Sequence, residues 1–109
     1  MNRRLLAEMK ITFDNLQFFT WDEDKEKVNE NKHGVSFMEA ATVFKDLNAL
    51  VKRDVDHSVD EDRFIIIGLS EKARLLVVCH CYRESDTIIR IISARKATKN
   101  ESANYRGES

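Results

Sequence analysis

Short apolar runs separated by polar links dominate the second half of the chain, and they predict β-strands. The runs at 63–69, 75–82 and 87–93 are rich in isoleucine, valine and aromatic residues, which favour extended backbone. Because polar links of only a few residues join them, we expect the three strands to form an antiparallel meander. A shorter strand is expected at 49–54, and 13–19 has room for one more.

Three further segments, 21–33, 37–45 and 99–106, are expected to be helices because a capping box stands at the start of each. In this motif a Ser or Thr hydroxyl accepts a backbone N–H, and a Glu three residues later bonds back. The three capping boxes are Thr20/Glu23, Ser36/Glu39 and Thr98/Glu101. The second helix carries an apolar stripe of Phe37, Ala40, Ala41 and Phe44. Gly34 suits the left-handed position that commonly ends a helix, so we expect it to close the first one.

Together these elements predict an α+β fold with two N-terminal helices, an antiparallel sheet of three to four strands and a C-terminal helix. A chain of 109 residues without proline has room for one such unit. We expect the domain to span 15–109 and residues 1–14 to form an N-terminal extension. The expected core consists of Phe37, Phe44, Ile66, Val77, Cys79, Ile89 and Ile91.

Charge is divided unevenly along the chain, although the formal net charge is only −1. Residues 1–62 contain 9 Lys/Arg and 14 Asp/Glu, whereas residues 63–99 contain 8 Lys/Arg and 3 Asp/Glu. A basic second half attracts phosphates. The alternative is that the charges in both halves are surface charges in water without a binding role.

Neither a membrane segment nor a secretion signal is recognisable, because no apolar run approaches the roughly 20 residues of a membrane helix. The chain is therefore expected in the cytoplasm, with Cys79 and Cys81 as reduced thiols. We expect no metal and no cofactor. Cys79, His80 and Cys81 alternate between strand faces, and a fourth zinc ligand is missing.

The residue types in the basic half suit the cleavage of RNA without a metal ion. This reaction needs a base for the proton of the 2′-hydroxyl, an acid for the leaving oxygen and cations for the phosphate. Histidine can fill either proton role near neutral pH, and the arginine guanidinium matches phosphate with two parallel donors.

Strand alternation decides which of these side chains share a face. In the strand at 75–82, Cys79 belongs to the set expected to face the core, so His80 is expected on the opposite face. Arg90 interrupts an isoleucine run and could share that face. The structural alternatives are a half-buried His80 without a role and an Arg90 ion pair across the sheet. The proposed catalytic residues are His80, Arg83, Arg90 and Arg95, and His57 and Lys96 are weaker candidates.

Two runs, Lys32-His-Gly-Val-Ser-Phe37 and Ile92-Ser-Ala-Arg-Lys-Ala97, resemble motifs of the BrnT family of toxins. Further similar segments are Phe19-Thr-Trp-Asp-Glu23, Asp56-His-Ser58, Glu61-Asp-Arg-Phe64 and Leu75-Leu-Val-Val78. The resemblance covers about residues 18–105 in the order and spacing of the family. One departure is Leu47, which stands where the family pattern leads us to expect proline.

The resemblance implies a fold like that of the RelE toxins, ribonuclease activity that blocks translation, and RNA as the substrate. It also implies neutralisation by a BrnA-type antitoxin with a ribbon-helix-helix region. The toxin itself is expected to bind DNA only indirectly, through this antitoxin. Because Arg95 lies in the most distinctive motif, it is the first candidate for holding the phosphate. The alternative is a non-catalytic module whose basic sheet binds nucleic acid or a protein and cleaves nothing.

Overall fold

A computed structural model describes residues 9–12, 17–84 and 86–108, and in this part of the chain one sheet carries three α-helices. The strands are β1 (Met9–Thr12), β2 (Phe18–Thr20), β3 (Leu50–Arg53), β4 (Phe64–Leu69), β5 (Leu75–Arg83) and β6 (Ile88–Lys96). The helices are α1 (Glu23–His33), α2 (Phe37–Thr42) and α3 (Lys99–Tyr105), with short 3-10 turns at Val43–Lys45 and Val55–His57. None of these helices combines the length and apolar character needed to cross a membrane.

The sheet is mixed and has the strand order β1-β2-β6-β5-β4-β3. The antiparallel meander β4–β5–β6 is present as predicted, and β3 pairs with the outer side of β4. β2 pairs with β6 in parallel, and β1, which lies in the expected N-terminal extension, pairs with β2. The sheet therefore has more strands than the three to four that were predicted, and it is not purely antiparallel. A three-residue strand has little periodicity, and its distant partner leaves no local signal.

The first helix begins later than predicted because a different residue caps it. The carboxylate of Asp22 accepts the backbone N–H groups of Asp24 and Lys25 at 2.9 and 3.0 Å. Thr20, the predicted cap, is the last residue of β2 and is buried. The end of the helix agrees with the prediction, since Gly34 adopts a left-handed φ of 69°.

The other two predicted caps differ in completeness. At α2 the Ser36 hydroxyl accepts the N–H of Glu39, but the Glu39 carboxylate binds Arg74. At α3 both bonds of the predicted capping box form, between Thr98 and Glu101. The Glu39 side chain therefore links α2 to the start of β5, and the Glu101 side chain both completes its capping box and binds Arg95 of β6.

The core lies between α2 and one face of the sheet. Its buried residues are Phe19, Trp21, Val35, Phe37, Ala40, Ala41, Val43, Ile66, Leu76, Val78, Ile89, Ile91 and Ala94, with Phe44 packed against them. The predicted members Val77 and Cys79 lie on the opposite face, so the face assignment of β5 was wrong. Because nearly every residue between Leu76 and Cys81 is apolar, alternation could not distinguish the two faces.

Helix α1 packs against β6 close to a bulge in that strand. Cys79 pairs with Ser93 and His80 pairs with Ile91, which leaves Ile92 as the extra residue. Beyond the end of β2, the side-chain amide of buried Asn29 donates to Ala94 O at 2.9 Å and accepts from Ala94 N at 3.1 Å. Asn29 thus supplies the hydrogen bonds that a neighbouring strand would have made.

Candidate functional site

The sheet face turned away from α2 carries a cavity of about 260 Å³. Its lining residues are Asp54, His57, Arg63, Ile65, Val77, Cys79, Ile92, Ser93 and Arg95. Polar and charged groups lie beside an apolar floor, which is the usual composition of a ligand site. A larger cavity of about 710 Å³ has Glu61, Asp62 and Asp86 in its wall, carboxylates that repel phosphate.

Strand register brings the lining residues of the smaller cavity together. Ile65 of β4 lies opposite Cys79 of β5, and Val77 of β5 lies opposite Arg95 of β6. Alternate residues of a strand share a face, so these side chains lie on one side of the three-stranded meander. The loop between β3 and β4 adds His57 and Asp54 at the edge.

His57 is held by a carboxylate. Its Nδ1 lies 2.9 Å from Oδ2 of Asp54, and the imidazole is 68% exposed whereas the Asp54 side chain is only 13% exposed. A carboxylate accepts this hydrogen bond from Nδ1–H, which selects the neutral tautomer whose lone pair is on Nε2. Asp54 is itself anchored, since its backbone N–H donates to Arg63 O at 2.7 Å. The pair can therefore present an oriented proton acceptor to the cavity.

Arg63 lies immediately before β4 and lines the cavity beside His57. Its Nε is buried, has no hydrogen-bond partner within the described residues, and lies 3.7 Å from Oε1 of Glu61. Glu61 receives a closer contact from Arg83, whose Nη1 lies 2.8 Å from Oε2. Hydrogen bonding to Arg83 is the main influence lowering the pKa of Glu61. Arg63 is thus the more weakly paired of the two cations.

Arg95 enters the cavity from β6 and forms a two-pronged ion pair with Glu101 of α3. Nη1 donates to Oε1 at 2.7 Å and Nη2 donates to Oε2 at 2.8 Å. The hydrogen bonds from Arg95 lower the pKa of Glu101 to about 2, and the same bonds raise that of Arg95. Both groups are therefore charged near neutral pH.

His80, the leading sequence candidate for proton transfer, lies inside the core with no exposed surface. The rings of Phe44, Phe64 and Tyr82 surround it at centroid distances of 4.8, 6.1 and 5.4 Å. Its Nε2 has no partner in the described structure, and burial lowers the pKa of the imidazole to about 4. The expected position on the face opposite the core was wrong, because that prediction inverted the faces of β5.

The remaining candidates do not line the cavity either. Arg83 lies at the end of β5 in its contact with Glu61. Arg90 pairs in register with Cys81, roughly 15 Å along β6 from Arg95. Lys96 is exposed and lies opposite Leu76, whose side chain points into the core on the other face. Of the six predicted residues, the structure brings together His57 and Arg95.

Sequence reasoning missed Asp54 and Arg63. A weak signal existed for each, since Asp54 stands three residues before His57 and Arg63 opens the apolar run of β4. An acidic residue near a loop histidine is common, however, and many strands begin with a cation. Asp54 and Arg63 become recognisable as site residues only in the folded protein, where the loop between β3 and β4 lies beside the cavity.

Comparisons with known proteins agree with the fold and with the sequence motifs. The family described as "ribonuclease toxin, BrnT, of type II toxin-antitoxin system" matches residues 21–101. The crystal structure of the Brucella abortus ribonuclease toxin BrnT is similar, with 26% sequence identity and a TM-score of 0.55. That match covers 72% of this chain and 94% of the other. None of the curated proteins matches. The chain therefore belongs to the BrnT family, the ribonuclease toxins of type II toxin–antitoxin systems.

Proposed function

We propose that this chain is an endoribonuclease toxin that cleaves RNA without a metal ion, in the cytoplasm, at the 260 Å³ cavity on the sheet face turned away from α2. The observation that carries the proposal is that His57, Arg63 and Arg95 line one cavity, with Asp54 bonded to the imidazole. We further propose that residues 15–109 form the toxin domain, to whose sheet β1 adds an edge strand, and that a BrnA-type antitoxin neutralises it. Membership of a family of ribonuclease toxins supports the reaction class.

In the proposed reaction His57 acts as the base. Its Nε2 takes the proton of the RNA 2′-hydroxyl, and the resulting oxygen attacks the adjacent phosphorus. The O2′–P bond forms while the P–O5′ bond breaks, and the leaving O5′ takes up a proton from water. The hydroxide left behind takes the proton from the His57 imidazolium, which restores the base. The products are a 2′,3′-cyclic phosphate and a 5′-hydroxyl end. Asp54 keeps Nδ1 protonated and stabilises the imidazolium that forms.

Arg63 and Arg95 supply the charge that the phosphate needs as it becomes more crowded. A donor aimed at developing negative charge contributes about 3 kcal/mol to the transition state, which is roughly a hundredfold in rate. Arg83, Arg90 and Lys96 lie outside the cavity, and we assign them at most the attraction of the RNA backbone. His80 is not part of the proposed machinery.

The direct test is cleavage of a labelled RNA by the purified chain in the presence of EDTA. We expect fragments ending in a 2′,3′-cyclic phosphate, and no cleavage of the same RNA carrying 2′-O-methyl groups, which lack the nucleophile. His57→Ala should slow the reaction at least a hundredfold. His33→Ala, at the end of α1 and outside the cavity, is the matched control. RNA binding without cleavage would instead support the non-catalytic module.

Neutralisation requires that the antitoxin deny RNA access to the cavity. We expect a purified complex with a BrnA-type antitoxin to leave the labelled RNA intact at toxin concentrations that otherwise degrade it. A complex that forms stoichiometrically and still cleaves would contradict this part of the proposal.

A further inference from the structure

Glu101, the third residue of α3, occupies one edge of the Arg95 guanidinium. We infer that Glu101 is a positioning residue, whose carboxylate holds Arg95 in the orientation that binds the phosphate of RNA. The inference rests on the proposed function, because it assigns the geometry of Arg95 within that same cavity. It adds a residue that does not line the cavity itself.

The count of donors on Arg95 shows why the ion pair does not exclude a phosphate. A guanidinium has five N–H donors. One from Nη1 and one from Nη2 bind the Glu101 carboxylate, and Nη1 also contacts Lys96 O at 3.2 Å. The two donors left are Nε–H and the second hydrogen of Nη2, which are parallel and lie on one edge. Two parallel donors on one edge are the arrangement that binds a phosphate with two hydrogen bonds.

Glu101 is itself held in place by the start of α3. Its Oε1 accepts the backbone N–H of Thr98 at 2.8 Å, and its own N–H donates to Thr98 Oγ1 at 3.2 Å. The far end of α3 is also anchored, since the Tyr105 hydroxyl lies 2.6 Å from Oδ2 of Asp46. The same Asp46 oxygen accepts the N–H of Leu69 in β4. A carboxylate fixed in this way limits the rotamers of the long Arg95 side chain.

Positioning and competition predict opposite results when Glu101 is removed. If Glu101 holds Arg95, the loss of the carboxylate frees a flexible side chain, and turnover falls although the cation remains. If Glu101 competes with phosphate for Arg95, the same change makes the cation more available, and cleavage accelerates. We favour positioning because the carboxylate takes the Nη1–Nη2 edge and leaves the other edge.

The experiment compares Glu101→Ala, Arg95→Ala and the double variant in steady-state RNA cleavage, at a temperature where circular dichroism shows every variant folded. We expect Glu101→Ala to lower kcat about tenfold to a hundredfold, with a smaller change in KM. In the Arg95→Ala background, Glu101→Ala should cause no further loss, because Glu101 acts through Arg95. Glu108→Gln removes the same charge from the end of the chain, where it pairs with Arg106, and should leave kcat unchanged.

Three results would overturn the inference. If Glu101→Ala leaves kcat unchanged, Arg95 does not need Glu101 to hold it in position. If Glu101→Ala raises kcat, Glu101 competes with the phosphate for Arg95. Equal losses from Glu101→Ala with and without Arg95 show that Glu101 acts by another route. These results differ from a failure of the proposed function, in which the wild-type chain itself leaves the RNA intact.

Discussion

At the scale of single residues, His57 and His80 show how environment determines the chemistry available to one residue type. His57 is 68% exposed and bonded to the carboxylate of Asp54. His80 has no exposed surface, lies against the rings of Phe44, Phe64 and Tyr82, and has its Nδ1 3.3 Å from Val78 O. A charge on His80 would have no counter-ion, and burial therefore lowers its pKa to about 4. In the proposed reaction His57 accepts a proton, whereas His80 stays neutral above that pH.

Replacing His80 by Phe should remove a pH dependence of stability. Between its ordinary pKa of 6.5 and the lowered value of about 4, the imidazole binds a proton in the unfolded chain but not in the folded protein. The contribution of neutral His80 to the free energy of unfolding is therefore fully present above pH 6.5 and is lost as the pH decreases towards 4. The loss is about 2 kcal/mol between pH 7 and pH 5. Urea unfolding at both pH values measures this loss, which His80→Phe should largely abolish. An unchanged loss in His80→Phe would mean that other groups cause it.

Arg95 provides a second test at this scale, based on guanidinium geometry. Arg95→Ala should lower the rate of RNA cleavage about a hundredfold. Arg95→Lys should be intermediate, because an ammonium keeps the charge but cannot offer two parallel donors to either Glu101 or a phosphate. Arg106→Ala, which changes an exposed arginine paired with Glu108, is the control. Full activity of a folded Arg95→Ala protein would make the arginine purely structural.

At the scale of elements, α1 and β6 are joined by one polar side chain at the core edge. The amide of Asn29 donates to Val35 O at 3.0 Å and to Ala94 O at 2.9 Å, and it accepts from Ala94 N. β2 pairs only with the first residues of β6, so Ala94 depends on Asn29 for its hydrogen bonds. This contact holds α1 beside the bulge of β6, from which Ile92 and Ser93 line the cavity.

Asn29→Ala should therefore destabilise the protein strongly. The substitution leaves buried backbone groups of Val35 and Ala94 unpaired, at a cost of about 3 kcal/mol in the free energy of unfolding. Asn31→Ala makes the same chemical change at an exposed position of α1 and should cost far less. Chemical denaturation of the two variants gives the comparison. Equal midpoints would show that the Asn29 contacts contribute nothing beyond helix propensity.

At the scale of the whole molecule, the two faces of the sheet carry different groups. α2 covers the face that carries Leu76, Val78 and His80, while the cavity with Arg63 and Arg95 lies on the other. The side chains of Arg63 and Arg95 are 34% and 40% exposed, so both can be reached from solvent. In the proposed mechanism, an antitoxin inhibits by occupying the sheet face that carries the cavity.

Expression in bacteria tests this arrangement as a whole. We expect the wild-type chain to arrest growth, with Arg95→Ala relieving the arrest at equal soluble protein levels. Co-expression of a BrnA-type antitoxin should restore growth by blocking the cavity. Unimpaired growth despite abundant, folded wild-type protein would contradict the proposed toxicity.

Most helices and strands could be predicted because their signals are local. The capping box at Thr98 and the left-handed Gly34 are formed by residues within one turn of each other. The start of α1 was missed only because Asp22, two residues after Thr20, caps the helix instead. The face of β5 could not be predicted, since its residues are apolar on both sides and give no period of two.

The sequence by itself determined the element types, the α+β class and, through the motifs at 32–37 and 92–97, the BrnT family. The element types depend on local helix and strand propensity, and the family is recognised from the order and spacing of the residues in its motifs. Only the tertiary structure decided that His80 lies in the core and that His57, Arg63 and Arg95 line one cavity. The physical reason is strand register. Packing across the whole sheet sets which residues of β4, β5 and β6 are neighbours, and no short stretch of sequence contains that information.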